Sequence, residues 1–178
     1  MHWHFGFHML FWQRVDASTK CHLQGSPTSG NGTALIRVIA VGKTKDRRLA
    51  DLAADYLRRC LPMAPVSVLE IRDSSPEKEG REMAAKLGSS AGNELVVAMD
   101  ERGEDLTSEA LSRLLGRHGS ISFLIGGADG LGAGARERAG RTIRLSAMTL
   151  THEMARVLLL EQIYRGLSIL RGRPYHRG

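Results

Sequence analysis

Five short apolar runs that alternate with segments of helical periodicity restrict the possible folds of this 178-residue chain most strongly. Each run is rich in β-branched residues and apolar on both faces, which is typical of strands inside a parallel sheet. The runs cover residues 35–41, 66–71, 95–99, 121–125 and 142–145. Helices are expected at residues 49–60, 74–87, 109–115, 133–139 and 151–170. The alternation predicts an α/β fold with a mostly parallel sheet that is flanked by helices.

The first 33 residues differ in composition from the rest of the chain. They carry clustered aromatic residues and histidines and end in a loop-like run of Gly, Ser, Thr and Asn. We therefore expect residues 1–33 to be a disordered N-terminal extension and residues 34–178 to form one domain. The clustered histidines lack cysteine or carboxylate partners, so no metal site is expected. No apolar run reaches the ~18–20 residues of a membrane span, so no membrane association is expected either.

The charge balance favours an acidic partner. The chain carries a net charge of +6 and has a pI near 9.8. Nucleic acid is the commonest partner of such a chain, although a merely solvated basic surface would have the same composition. The two cysteines, Cys21 and Cys60, lie in different segments and form no Cys-x-x-Cys motif. A reduced cytoplasmic setting is the simplest interpretation, with Cys60 as a small core residue.

The last helix is apolar around nearly its whole circumference, because three consecutive leucines occupy residues 158–160. A helix of this kind is buried on more than one side. One side can pack on the sheet, and a second copy of the chain would cover the other, which predicts a homodimer. The charged residues along the helix are expected to form the pairs Glu153–Arg156 and Glu161–Arg165.

Three loops at predicted strand ends are candidate ligand sites, because ligands of open parallel sheets bind beyond the carboxyl ends of strands. They are the segment 99–103, which contains a polar turn, a glycine-rich segment at 126–131, and the segment 145–150. Glycines admit a ligand close to the backbone, but they could equally build tight turns only. The loops contain little charge, which suits a neutral, flat, adenine-bearing ligand. The run Gly130-x-Gly132-x-x-Ala135 is a weak match to a dinucleotide fingerprint, and no P-loop is present.

Four motifs in this order resemble the RlmH family, the ribosomal RNA large subunit methyltransferases H of the SPOUT superfamily. They are FLIGGADGL at 123–131, LSAMTL at 145–150, RVLLLEQIYR at 156–165 and PYHR at 174–177. LIRVIAVGK at 35–43 and YLRR at 56–59 are similar to that family too. The resemblance covers residue 35 to the C-terminus. Ala128 and Thr151 stand where the family usually has proline, and both changes relax a loop.

The resemblance implies a cytosolic homodimer with a C-terminal trefoil knot that uses S-adenosyl-L-methionine as its cofactor. The product would be an N3-methylated pseudouridine in 23S ribosomal RNA, made on the assembled ribosome. The family's cofactor-binding positions correspond here to Met99, Gly126, Leu145, Ser146, Ala147, Met148, Thr149 and Leu150.

The C-terminal tail is expected to carry the chemistry, because the acceptor nitrogen must lose a proton. His176 is the candidate base, and Arg165 and Arg177 are expected to hold phosphate or stabilise the anionic base. Tyr175 could stack on the flipped base. His152 is expected to be structural. A ribosome- or RNA-binding module that keeps the fold without the activity is the alternative, and a dinucleotide oxidoreductase is a distant third.

Overall fold

The computed structural model describes residues 35–87 and 94–176, with His176 described for its backbone alone. The predicted extension at residues 1–33 and the candidate residue Arg177 lie outside the described residues. The boundary between extension and domain therefore stays a prediction.

Five strands and five helices alternate along the described chain. In order they are β1 Leu35–Val41, α1 Arg47–Cys60, β2 Val66–Ile71, α2 Pro76–Leu87, β3 Glu94–Asp105, α3 Ser108–Arg117, β4 Ser120–Ile125, α4 Ala133–Arg136, β5 Arg141–Arg144 and α5 His152–Leu170. A short 3-10 turn, Pro174–His176, follows α5. The strands form one sheet in the order β2-β1-β4-β3-β5, and every pair is parallel. The predicted α/β fold with a parallel sheet is confirmed, and the trefoil knot stays a prediction.

The sheet is covered on both faces because alternate side chains of each strand enter different cores. In β1, Ile36, Val38 and Ala40 pack with α1, α3 and α5, whereas Ile39 and Val41 pack with α2 and α4. All five of these side chains are essentially inaccessible to solvent. Strands buried on both faces explain why the runs in the sequence are continuously apolar.

Strand β3 corrects the predicted polar turn at residues 100–103. The strand continues through this segment to Asp105, and its register against β5 shifts between Met99 and Glu104. A Cβ on Gly103 would lie 2.5 Å from the carbonyl carbon of Ile143, so only glycine fits this crossing. The polar residues misled the sequence reading because this part of the strand is largely exposed.

Helix α5 is buried between α1 and α3 on one face of the sheet, which agrees with its apolar sequence. Val157, Leu160 and Ile163 are 3% exposed or less, but Met154 and Leu158 remain more than a third exposed. The predicted second copy would cover these two side chains, and the homodimer stays a prediction. Among the described residues, no helix has the length and apolarity needed to cross a bilayer.

Candidate functional site

The three loops predicted to bind a ligand meet in one cleft. Two of them follow β4 and β5, and the third lies within β3, which stands between these two strands in the sheet. The cleft has a volume of about 350 Å³, which lies within the usual range of ligand pockets. The predicted cofactor residues that line it are Met99, Gly126, Leu145, Ser146, Met148, Thr149 and Leu150. Ala147 belongs to the same loop but does not line the cleft.

The glycine-rich loop forms a wall of bare backbone. The Gly130 N–H donates to the Gly127 carbonyl at 3.1 Å, and Gly130 has a φ of 76°, which closes a tight turn. A Cβ on Gly126 would overlap the carbonyl group of Gly130. The glycines therefore build a tight turn, and the approach of a ligand to its backbone stays a prediction.

The dinucleotide interpretation loses its structural basis in the same loop. Gly132 faces away from the cleft, because a Cβ there would overlap the Pro76 carbonyl oxygen at the start of α2. The helix that follows, α4, spans only four residues. The glycine therefore allows α2 and α4 to pack closely, and it forms no phosphate-binding turn.

The segment at residues 145–150 is held by its own hydroxyl groups. The Ser146 hydroxyl accepts a hydrogen bond from the Met148 N–H at 2.9 Å, whereas the Met148 side chain is 78% exposed. Thr151 caps α5 by accepting from the Met154 N–H at 3.3 Å. A threonine in place of the usual proline thus supplies a side-chain cap that proline could not.

Charged residues border the cleft, which the sequence reasoning missed. Asp100 forms an ion pair with Arg136, with 3.0 Å between its carboxylate oxygen and the guanidinium nitrogen. Glu101 and Arg102 line the cleft beside it. Arg144 pairs with Asp105, and its hydrogen bonds hold the pKa of that carboxyl below its usual value. The run 100–102 directly follows Met99 in the sequence and was assigned to a polar turn at a strand end. Its charged side chains were not expected at a site for a neutral ligand. No sequence signal indicated Arg136, because only the fold brings it to β3.

The start of α5 closes the cleft. His152 and Ala155 line it. The Nε2 of His152 lies 3.4 Å from the place a Cβ would take on Gly42, which has a φ of 73°. The structure thus gives His152 a packing role, as predicted, and also exposes it to the cleft.

Arg156 fastens this start of α5 to the turn after β1, which corrects the predicted Glu153–Arg156 pair. Its side chain is 2% exposed, and its guanidinium donates to Glu70 at 2.6 Å and to Thr44 Oγ1 at 2.7 Å. It also donates to the Gly42 carbonyl at 2.7 Å. Glu153 accepts instead from the backbone N–H groups that precede α1. The short spacing favoured a local pair, but the buried position gives Arg156 partners distant in sequence.

Of the predicted catalytic residues, Arg165 and Tyr175 have described side chains, and both lie toward the C-terminal end of α5. Arg165 forms the expected pair with Glu161 at 2.8 Å. It is 13 positions beyond His152, which at about 1.5 Å per residue is roughly 20 Å along the helix. Tyr175 is half-buried beside it, and burial together with hydrogen bonds to Tyr56 and Glu161 raises its pKa. The structure therefore does not bring Arg165 and Tyr175 to the cleft of the same chain.

No metal-binding group was found in the described part of the chain, where no three His, Cys, Asp or Glu side chains converge.

Known proteins are similar to this chain in sequence and in fold. A family model described as "Predicted SPOUT methyltransferase" matches residues 35–176. The ribosomal RNA large subunit methyltransferase H of Prochlorococcus marinus (strain MIT 9303) is 43% identical over 144 residues, which cover 80% of this chain and 92% of that protein. Its namesake from Chromobacterium violaceum is 40% identical over 156 residues, covering 80% of this chain and 98% of that protein.

The fold has a counterpart among solved structures. That of a probable methylase family protein from Haemophilus influenzae Rd KW20 has a TM-score of 0.51 and 14% sequence identity. The match covers 80% of this chain and 70% of that one. At this identity, the likeness concerns the fold alone.

Proposed function

The chain belongs to the RlmH family of SPOUT methyltransferases, and we propose that it methylates N3 of a pseudouridine in 23S ribosomal RNA. The methyl donor is S-adenosyl-L-methionine and the substrate is the assembled ribosome in the cytoplasm. The relatives named as ribosomal RNA large subunit methyltransferase H support the substrate class. The observation that carries the proposal is the cleft, because seven of the eight predicted cofactor residues line it, from β3 and from the segments after β4 and β5.

The residues of the cleft fit the proposed cofactor. Gly126 and Gly127 border the cleft without a side chain, and Leu145 and Leu150 offer apolar walls. Carbonyl and N–H groups of the same loops can recognise the edge of an adenine. The rim of the cleft carries both signs of charge, since it is lined by Asp100, Glu101 and Asp129 and also by Arg102, Arg136 and Arg144. When bound, the cofactor would supply a methyl group on a sulfonium, which is a good leaving group.

The C-terminal tail would act on the RNA. We propose that His176 accepts the proton of the base nitrogen, that Arg165 and Arg177 stabilise the resulting anion or hold phosphate, and that Tyr175 stacks on the base. Arg165 lies 10 positions beyond Ala155, the last residue of α5 that lines the cleft, which is roughly 15 Å along the helix. A homodimer in which the tail of one copy reaches the cleft of the other would unite the two halves of the site. The exposed Met154 and Leu158 support such an interface on α5.

Methyl transfer to ribosomes tests the proposal. Ribosomes from cells that lack this gene should accept one methyl group per large subunit, and primer extension should locate it at one nucleotide. His176→Ala should abolish turnover while calorimetry finds nearly unchanged cofactor affinity. His118→Ala is the matched control and should retain activity. His118 directly follows α3 and precedes β4, so it lies at the amino ends of the strands, whereas the cleft lies toward their carboxyl ends.

Other outcomes would point elsewhere. Full turnover by His176→Ala would remove this histidine from the mechanism. RNA binding without any cofactor binding would favour the non-catalytic module instead.

A further inference from the structure

The C-terminal ends of α1 and α5 carry a cluster of aromatic and basic side chains that the cleft does not use. The rings of Tyr56 and Tyr164 lie 6.1 Å apart, and those of Tyr164 and Tyr175 lie 4.6 Å apart, edge to face. The three half-buried tyrosines thus form a continuous row from α1 to the tail. The row ends directly before His176, so α1 is physically connected to the segment that carries the proposed base.

Two adjacent arginines of α1 lie on the outer side of this row. The Cζ of Arg59 is 5.9 Å from the ring centre of Tyr56 and 6.0 Å from that of Tyr164. Its side chain is 49% exposed, and that of Arg58 is 67% exposed. Both rings therefore lie within cation–π distance of the Arg59 guanidinium, while about half of its side chain stays accessible to solvent.

The charge of this pair is only half neutralised. Arg59 binds Asp55 at 2.6 Å, and Arg58 binds the other oxygen of the same carboxylate at 3.1 Å. Two guanidinium groups therefore share one carboxylate, which leaves a net charge of +1. Each guanidinium has five N–H donors in a planar fork, so donors remain for an incoming anion.

We propose that Arg58 and Arg59 form a phosphate-binding site that docks the backbone of the substrate RNA next to the tail. Planar guanidinium groups bind phosphate oxygens in a bidentate manner, and one already stacked on rings loses less freedom on binding. Flanking tyrosine rings are typical of surfaces that contact unpaired nucleotides. The identity of the RNA rests on the proposed function, whereas phosphate binding by this pair does not.

The salt dependence of RNA binding tests the proposal. Binding of a labelled RNA hairpin and of ribosomes would be measured from 0.05 to 1 M salt for the wild type and for Arg58→Ala/Arg59→Ala. Each lost phosphate contact lowers the slope of log K against log salt by about 0.7 on an unpaired strand and by about 0.9 on a duplex. Two lost contacts lower it by about 1.4 to 1.8, which is a roughly 25- to 60-fold loss of affinity at 0.1 M salt if the curves converge at 1 M. In methyl transfer, the KM for ribosomes should rise while kcat stays near normal.

A matched variant removes the same charge from the other face of the sheet. Lys78 and Arg81 are exposed on α2, which packs against the opposite face from α1 and α5. Lys78→Ala/Arg81→Ala also lowers the net charge by two and should leave the slope unchanged. Arg58→Ala alone keeps the stacked Arg59, so a slope change of about 0.7 to 0.9 in this folded variant excludes a purely structural effect.

Three results would overturn the inference. One is an unchanged slope of log K against log salt for Arg58→Ala/Arg59→Ala. Another is an equal loss of RNA affinity for both double variants. The third is that an acidic peptide competes for the site of Arg58 and Arg59 whereas RNA does not. If the wild type binds RNA through this pair yet methylates none, the proposed function fails and the docking site stands. If the variant methylates ribosomes with an unaltered KM, the docking site fails and the function stands.

Discussion

Replacing Arg156 by alanine should destabilise the protein and loosen its cleft. The variant removes hydrogen bonds to Glu70, Thr44 and the Gly42 carbonyl from a side chain that is 2% exposed. Breaking a buried ion pair by removing one partner costs about 3–5 kcal/mol. Glu70 is 37% exposed and can be rehydrated, which places the expected cost near the lower value, about 3 kcal/mol.

Thermal unfolding followed by calorimetry measures this cost. For a chain of this length, each kcal/mol shifts the Tm by about 2–4 °C, so a decrease of roughly 6–12 °C is expected. Arg47→Ala is the matched control, because its side chain is 95% exposed and its ion pair with Asp51 spans 4.0 Å at the protein surface. The control should shift the Tm by less than about 2 °C. Cofactor affinity, measured well below the Tm, should fall for Arg156→Ala and stay constant for the control, since Arg156 secures the helix start that bears His152.

The Arg156 reasoning also predicts the behaviour of two further variants. Arg156→Lys keeps the charge but cannot reach Glu70 and the Gly42 carbonyl at once, so its Tm should lie between those of the wild type and the alanine variant. Combining Arg156→Ala with Glu70→Gln should cost less than the sum of the single changes, because the two side chains are partners. A Tm for Arg156→Ala within 2 °C of the wild type would refute the claim that this arginine organises the start of α5.

Three other predictions follow from single positions. Gly126→Ala should abolish cofactor binding in calorimetry, because its Cβ would overlap the backbone of the glycine turn, whereas Gly119→Ala meets no atom within 4 Å and should bind normally. Burial raises the pKa of Cys60 to about 12, so in a Cys21→Ser background alkylation at pH 9 should occur only after unfolding. Rapid alkylation of the folded protein at pH 9 would contradict the raised pKa of Cys60. Because the pKa is higher in the folded state, the contribution of this thiol to stability is complete below about pH 9 and is lost as the pH rises through 12. Thr107→Ala removes the cap that accepts the Ala110 N–H and should cost about 0.5–2 kcal/mol in urea unfolding, with unchanged cofactor affinity.

The strands were predictable from the sequence because each is buried on both faces and therefore carries a continuous apolar run. Their bounds agree with the prediction to within one residue except in β3, whose second half is exposed and polar. The starts of α3 and α5 agree with the prediction to within one residue, since Thr107 and Thr151 are typical capping residues and both accept a backbone hydrogen bond. The predicted starts of α1 and α2, at residues 49 and 74, each differ from the observed start by two residues. The short helix α4 ends at Arg136, three residues before the predicted end.

The sequence alone determined the alternating pattern, the buried last helix and the three loops that could meet a ligand. These features depend on the local period of apolar side chains and on short motifs, both of which can be recognised within a single segment of the sequence. Only the tertiary structure decided the rest. The strand order brought β3 beside the segments that follow β4 and β5. The buried position of Arg156 gave it partners 86 to 114 positions away. The length of α5 separated Arg165 and Tyr175 from the cleft of their own chain. Such contacts join residues remote in sequence, and no local pattern records which remote segment will be the neighbour.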